Sequence, residues 1–164
     1  MIDAWRILCG SVLSSVLGLA PNGESNRRAV MMNLLSFYQW LYETTDGRFT
    51  WLAGLPVLLL RTKGRKSGVE RTAALVYLQD GKDLVVVASN GGSDHPPAWL
   101  LNIEAEPKVG VQIGRERKTM RARIASTEER QRLWPRVNEN NANRYDAYQA
   151  KTKREIPLVV VSPL

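Results

Sequence analysis

The sequence predicts a mainly β domain with flanking helices (α+β), its roughly six antiparallel strands curling into a small barrel or a strongly curved sheet. Three observations predict it. Short apolar runs recur from residue 56 onward. Tight-turn residues, Asp80-Gly81 and Gly114-Arg115, join neighbouring runs as hairpins. Helical periodicity is confined to the ends and to one long crossover. The chain has 164 residues, 44% of them hydrophobic, which is enough for one core without covalent staples. No repeat and no Pro/Ser-rich linker divides it.

The elements follow in order. Residues 28–42 place Met31, Leu34, Leu35, Tyr38, Leu41 and Tyr42 on one face at helical period, so a core-covering helix is expected, ended by 44–47. The period then changes. Residues 56–62 are an apolar run, the pattern of a strand buried on both sides, and 73–78 are another. Asp80-Gly81 turns the chain, and 84–88 complete the hairpin. Asn90, Gly91, Gly92, Ser93 and Asp94 form a loop that ends at Pro96-Pro97. Trp99, Leu100 and Ile103 have helical spacing within 98–105, with Pro107 just beyond. Residues 109–113 alternate as a strand, and Met120, Ala122 and Ile124 are expected to point inward on the return strand. Ser126 and Glu129 form the S-x-x-E capping box of another helix, which Pro135 is expected to kink or end. Tyr145 and Tyr148 fall on a short helical stretch, and 156–161 are a β-branched last strand.

Residues 7–20 are mostly apolar, broken by Gly10, Ser11, Ser14 and Ser15. A membrane span needs about 20 apolar residues, so this stretch is too short. It fits a secretory apolar region with Gly18 and Ala20 near a cleavage point, although Asp3 offsets Arg6 and makes a poor leading segment. It also fits a short helix resting on a membrane or on the domain. A translation start at Met31 or Met32 is a further reading. Residues 1–30 are expected to be an apolar appendage outside the core, and 31–164 the single domain.

Composition narrows the chemistry. Cys9 and His95 are the single cysteine and the single histidine. One of each excludes the usual zinc clusters, so no metal is expected, and excludes thiol redox pairs and an internal disulfide. Catalysis then needs a borrowed cofactor, or hydroxyls, carboxylates and cations. Lys plus Arg total 23 against 16 Asp plus Glu, a net charge of +7. Such a surface attracts nucleic acid, anionic lipid or an anionic small ligand. One cluster, Arg115, Arg117, Lys118, Arg121 and Arg123, surrounds a hairpin turn and reads as a solvated strand face. The other coincides with glycines. In Arg61-Thr-Lys-Gly-Arg-Lys-Ser-Gly68, followed by Arg71, exposed amides beside Arg65, Lys66 and Ser67 suit a phosphate or carboxylate. The spacing is not that of a P-loop, and local composition alone fits a basic hairpin turn on a solvated surface better than an anion site. Ala88-Ser-Asn-Gly-Gly92 lies where a strand end meets glycines, which suits a ligand, but taken alone it fits an ordinary loop better. Asp94 and His95 fit an exposed loop pair better than an acid-base pair.

The order of these pieces is specific. L-L-R-T-K-G-R-K-S-G-V-E-R is followed by a strand, D-G, a strand, A-S-N-G-G, P-A-W-L-L-N-I, A-E-P-K-V-G-V-Q-I, Y-D-A-Y-Q and R-E-I-P-L-V-V. From about Leu34 to the C-terminus the chain resembles the deazaflavin-dependent nitroreductases of actinobacteria, quinone reductases that use coenzyme F420. The resemblance implies a split β-barrel. It implies that Arg65, Lys66 and Ser67, with Arg71, hold the phosphate and polyglutamate tail of the coenzyme. Ala88, Ser89, Asn90, Gly91 and Gly92 would line the deazaflavin ring, and Trp99, Leu100, Leu101 and Asn102 would close the site. Tyr145, Tyr148 and Ser89 would orient an acceptor or supply a proton. Three departures stand out. Asn90 replaces a frequent lysine, Ala74 a common proline, and Ala142 a tyrosine often found on the substrate side.

The expected activity is hydride transfer from reduced F420 to a quinone, enone or nitroaromatic acceptor. A deazaflavin has carbon where a flavin has its central reactive nitrogen, so hydride transfer is favoured over radical steps. FMN is the alternative cofactor. A non-catalytic deazaflavin carrier is the alternative function, followed by a basic binder of anionic membrane or nucleic acid. No basic stretch interleaves with aromatics in a nucleic-acid motif, so no nucleic acid is expected. The expected location is the cytoplasm, with peripheral contact through residues 1–30 at the inner face of the cell membrane.

Overall fold

The computed structural model describes Trp51, Leu52 and residues 55–164. The expected appendage 1–30, the expected helix 28–42 and the boundary at residue 31 lie outside the described residues.

Strands β1 (Trp51–Leu52), β2 (Leu55–Lys63), β3 (Glu70–Asp80), β4 (Asp83–Val87), β5 (Lys108–Ile113), β6 (Glu116–Ile124) and β7 (Leu158–Pro163) form one antiparallel sheet in the order β1-β2-β3-β4-β7-β6-β5. Pairing of β5 back onto β2, through Leu59 with Gln112, Leu60 with Val111 and Arg61 with Gly110, closes the last six into a barrel. The helices are α1 (Ala98–Ala105), α2 (Thr127–Asn140) and α3 (Arg144–Gln149), with a 3-10 turn at Asn90–Gly92. No helix among the described residues is long and apolar enough to cross a membrane.

Strand alternation divides the side chains between three cores. Leu58, Leu60, Leu84, Val86, Val111 and Val161, among others, fill the barrel. Val57 and Leu59 point the other way and pack with Ala74 and Val76. Val85, Val87 and Leu158 face away from the barrel interior and pack with Leu133, Val137 and Tyr145 of α2 and α3. Full burial of each such side chain contributes about 1.5–3 kcal/mol. At the closing seam Gln112 is fully buried, and its amide is satisfied: Arg61 Nη2 donates to Oε1 at 2.7 Å, and Nε2 donates to the Gly114 carbonyl at 3.0 Å.

Both hairpin turns, the span of α1 and the capping box stand as expected. The Glu129 N–H donates to Ser126 Oγ, and the Ser126 N–H donates to the Glu129 carboxylate. Four expectations are corrected. β3 is longer than 73–78 and half-buried along that stretch, so it is not a doubly buried strand. β7 begins at Leu158 rather than at 156. Ile124 is 44% exposed, because it ends β6 where the chain leaves for the cap at Ser126. Pro135 does not end helix α2, which runs through it to Asn140. Pro135 and Gln131, the residue a turn earlier, are both exposed, so water can satisfy the carbonyl that a proline cannot.

Helix α2 is fastened to the β3–β4 turn by Asp80, whose carboxylate accepts hydrogen bonds from Arg132 and Arg136. These bonds hold the Asp80 carboxyl down at about 2. A lowered folded-state pKa contributes stability above the unfolded value and loses it as pH falls through the folded value. We expect Asp80→Asn to melt below the wild type at neutral pH. The gap, about 1 kcal/mol or less for so exposed a cluster, should close as the pH falls from about 4 towards about 2. Melting curves across that range check it, and a gap that widens in acid would contradict the assignment.

Candidate functional site

The expected basic segment is the hairpin turn between β2 and β3. The Gly64 N–H donates to the Val69 carbonyl at 2.8 Å, and the Gly68 N–H to the Gly64 carbonyl at 2.7 Å. Arg65, Lys66 and Ser67 are exposed, and Arg71 is exposed on β3 opposite Thr62. The turn does not hang free. Buried Asn102 of α1 accepts the Arg65 N–H on Oδ1 at 3.1 Å and donates from Nδ2 to the buried Thr62 hydroxyl at 3.1 Å. One amide thus ties the basic turn to β2 and α1 together.

The second segment leaves β4. Ser89 has right-handed helical dihedrals (φ −71°, ψ −35°), and Asn90 and Gly91 follow with φ of 47° and 65°. Successive right- and left-handed residues gather backbone N–H groups into a concavity that attracts electron-rich atoms. The N–H groups of Ser89, Asn90 and Gly91 make no hydrogen bond among the described residues, whereas those of Gly92 and Ser93 close the turn onto Ser89 and Asn90. The Asn90 side chain is used locally, donating to the His95 carbonyl at 2.9 Å.

The chain after α3 grips this turn. Arg154 Nε donates to the Ser93 carbonyl at 2.8 Å. Its Nη2 donates to the carbonyls of Ala88 at 3.1 Å and Ser89 at 2.8 Å. Thr152 Oγ1 donates to the Asp94 carboxylate at 2.7 Å, so Asp94 is engaged away from His95, and both are exposed. Gly92 (φ 84°) lies so close to α3 that a Cβ there would stand 2.6 Å from the Tyr148 carbonyl oxygen.

Helix α3 is itself anchored. Asn138 Oδ1 accepts the N–H groups of Tyr145 and Asp146, and the Asp146 carboxylate accepts from Asn138 Nδ2 and Trp134 Nε1. The two tyrosines meet edge to face with centroids 6.2 Å apart. Tyr145 is 6% exposed among Leu133, Val137 and Ile156; burial, with Tyr148 beside it, pushes its hydroxyl pKa well up. Tyr148 is half-buried, and the Lys151 ammonium lies 5.7 Å from its ring centre.

A sequence model of the F420H(2)-dependent quinone reductases matches residues 35–163. This chain belongs to that family. An F420H(2)-dependent quinone reductase of Mycobacterium tuberculosis is 40% identical over 139 residues, which covers 82% of this chain and 93% of that protein. A solved F420-H2 dependent reductase, FDR-A, superposes with a TM-score of 0.60 at 36% identity, over 65% of this chain and 94% of its own. The haem storage protein HutZ of Vibrio cholerae, with a TM-score of 0.51 at 12% identity over 79% of this chain and 90% of its own, shares the fold alone.

Within this F420H(2)-dependent quinone reductase family member, helix α1 connects the expected site residues. It begins after the loop that carries 88–94, and Asn102 holds the basic turn. Helix α3 adds Tyr148 against Gly92. The side chains of Ala88, Leu100 and Asn102 are turned into the protein, so these residues meet a ligand through backbone at most. Trp99 and Leu101 keep some exposed surface. Sequence reasoning missed Arg154. Arg154 opens the R-E-I-P-L-V-V run, but its role cannot be read there, because its partners are carbonyls of residues far away in the chain.

Proposed function

We propose that this chain reduces a quinone-type acceptor with reduced coenzyme F420, binding the coenzyme along the basic turn, the start of α1 and the 89–91 amides. The observation that carries the reading is the combination of two donor sets, the exposed cations of 64–71 and the amides of 89–91, which have no partner among the described residues, on elements that α1 connects. That donor set fits a ligand with an anionic tail and an oxygen-rich ring edge.

When bound, the reduced deazaflavin supplies the hydride and its electronics. The chain supplies the rest. Lys66 and Arg65 offer charge-assisted bonds to phosphate and polyglutamate oxygens, with Ser67 and Arg71 beside them. Ser89 and the turn amides hold the ring edge. The reduced acceptor needs a proton on oxygen. We assign the task of orienting that oxygen or relaying the proton to the hydroxyl of Tyr148, a half-buried residue whose backbone lies against Gly92, with Ser89 as the alternative. Tyr145 stays protonated and sets the ring of its neighbour. An enone or nitroaromatic would be reduced at the same place. The acceptor class fits a cytoplasmic protein that meets the inner face of the cell membrane through residues 1–30.

The test is titration with F420 of different tail lengths, beside FMN, followed by turnover with quinone, enone and nitro acceptors. Lys66→Ala should weaken binding of tailed coenzyme by about 1.5–3 kcal/mol, while Arg115→Ala, in the other basic cluster, changes little. Tyr148→Phe should keep affinity and slow acceptor reduction roughly threefold to tenfold. Tight FMN binding without F420 binding would overturn the cofactor. F420 binding with no acceptor reduced would favour the carrier.

A further inference from the structure

We propose that Arg154 is a positioning residue of the coenzyme site: its guanidinium fixes the carbonyl side of the 88–93 turn and so presents the Ser89, Asn90 and Gly91 amides outward. The inference rests on the coenzyme reading above. It is carried by geometry that needs no ligand to describe.

A peptide plane points its N–H and C=O in opposite directions, so holding the carbonyls decides where the amides face. Arg154 holds the carbonyls of Ala88 and Ser89 at the entry of the turn and that of Ser93 at its exit. The Ser89 carbonyl belongs to the same peptide plane as the Asn90 N–H, and the Ala88 carbonyl to that of the Ser89 N–H. Two of the three amides that have no partner among the described residues are therefore aimed directly by this guanidinium. The Asn90 and Gly91 backbones sit in the left-handed region, a conformation costing of order 1 kcal/mol at a non-glycine residue such as Asn90, and it persists only when the surroundings impose it. Arg154 is the charged group that hydrogen-bonds the carbonyls of this turn.

Arg154 is placed in turn. Gln149 Nε2 donates to the Arg154 carbonyl at 2.8 Å, and Gln149 Oε1 accepts the Ile156 N–H at 2.9 Å. The arginine thus stands between the helix that carries Tyr148 and the last strand. Its planar fork meets divergent carbonyls, which the single ammonium of lysine cannot match. The same group joins the ring side of the site to the tyrosine side.

The experiment uses the full chain, oxidised F420 and its tail-free riboside, with binding read by fluorescence. Arg154→Met should weaken both forms roughly tenfold or more, as expected when charged hydrogen bonds that shape the ring site are lost. Lys66→Ala should weaken the tailed form alone. Arg154→Lys should fall between Arg154→Met and the wild type. Millimolar methylguanidinium should restore ring affinity to Arg154→Ala, a rescue that a general loss of stability would not show. If Arg154→Met and Arg154→Ala do not fold, Arg154→Lys decides by its affinity for the tail-free form. A wild type that binds both forms while the substituted chains bind them equally well overturns this proposal alone. So does Arg154→Ala that folds, binds weakly and gains nothing from methylguanidinium. A wild type that binds neither form overturns the coenzyme reading, and this proposal with it.

Discussion

Gly92→Ala should cost the protein about 2–5 kcal/mol and abolish measurable coenzyme binding at ordinary concentrations. Two penalties add. The residue has φ of 84°, a backbone region that side chains other than glycine rarely adopt. The new methyl would also stand 2.6 Å from the Tyr148 carbonyl oxygen and 3.1 Å from Lys151 Cβ. The Tyr148 oxygen is backbone of a helix pinned by Asn138, so it cannot rotate aside. Either α3 lifts or the turn shifts, and each outcome separates the tyrosine from the 89–91 amides. Gly91→Ala is the informative partner. Gly91 has a similar φ of 65°, but a Cβ there meets nothing within 4 Å. It should show backbone strain alone, about 1 kcal/mol. Thermal melts and coenzyme titration of both variants check the pair. Equal losses at both positions would remove the contact with α3 from the explanation.

Asn102→Ala should destabilise the fold by about 1–3 kcal/mol, because it leaves the buried Thr62 hydroxyl without its donor. Its larger consequence is at the basic turn. The Arg65 N–H loses its acceptor, and the turn loses its tie to α1. Affinity for tailed coenzyme should fall roughly tenfold, as for loss of a hydrogen bond to a charged group, although no cation has been touched. Asn102→Asp separates the two effects. It keeps an acceptor for Arg65 and buries a charge, so it should be less stable than the wild type yet bind the tail better than Asn102→Ala. A chain carrying Asn102→Ala with full affinity for tailed coenzyme would show that the turn needs no anchor.

Much of the fold is legible in the sequence because its signals are local. Asp80-Gly81 and Gly114-Arg115 announce hairpins. Ser126 and Glu129 announce a helix start, and Pro107 bounds α1. The place of β7 between β4 and β6 is not legible, since it depends on pairing across more than the length of α2 and α3. Pro135 misleads for a different reason. A proline rule speaks of the lost hydrogen bond, but only the fold shows that Gln131 and Pro135 lie on an exposed face, where water can take up the freed carbonyl. The site divides the same way. Arg65 and Lys66 stand out because cations coincide with glycines. Asn102 is placed at the coenzyme by resemblance, yet its side-chain amide is engaged by Thr62 and Arg65. Arg154 stands at the head of the R-E-I-P-L-V-V run, yet its role is not legible there, because it recognises main-chain carbonyls that every residue has.

The position of β7 also sets the order in which the molecule can come into being. Leu84–Val87 pair with Leu158–Val161, and Met120–Ile124 pair with residues 159–163 of the same strand. During synthesis the β2–β3–β4 and β5–β6 hairpin layers emerge early, yet the sheet lacks its link between β4 and β6 until the ribosome has delivered the last strand. Such sequence-distant closure makes folding slow and leaves two strand edges open to other chains in the meantime. Arg154 precedes β7 by a few residues. The 88–93 turn therefore acquires its grip from Arg154 in the same late step that completes the barrel.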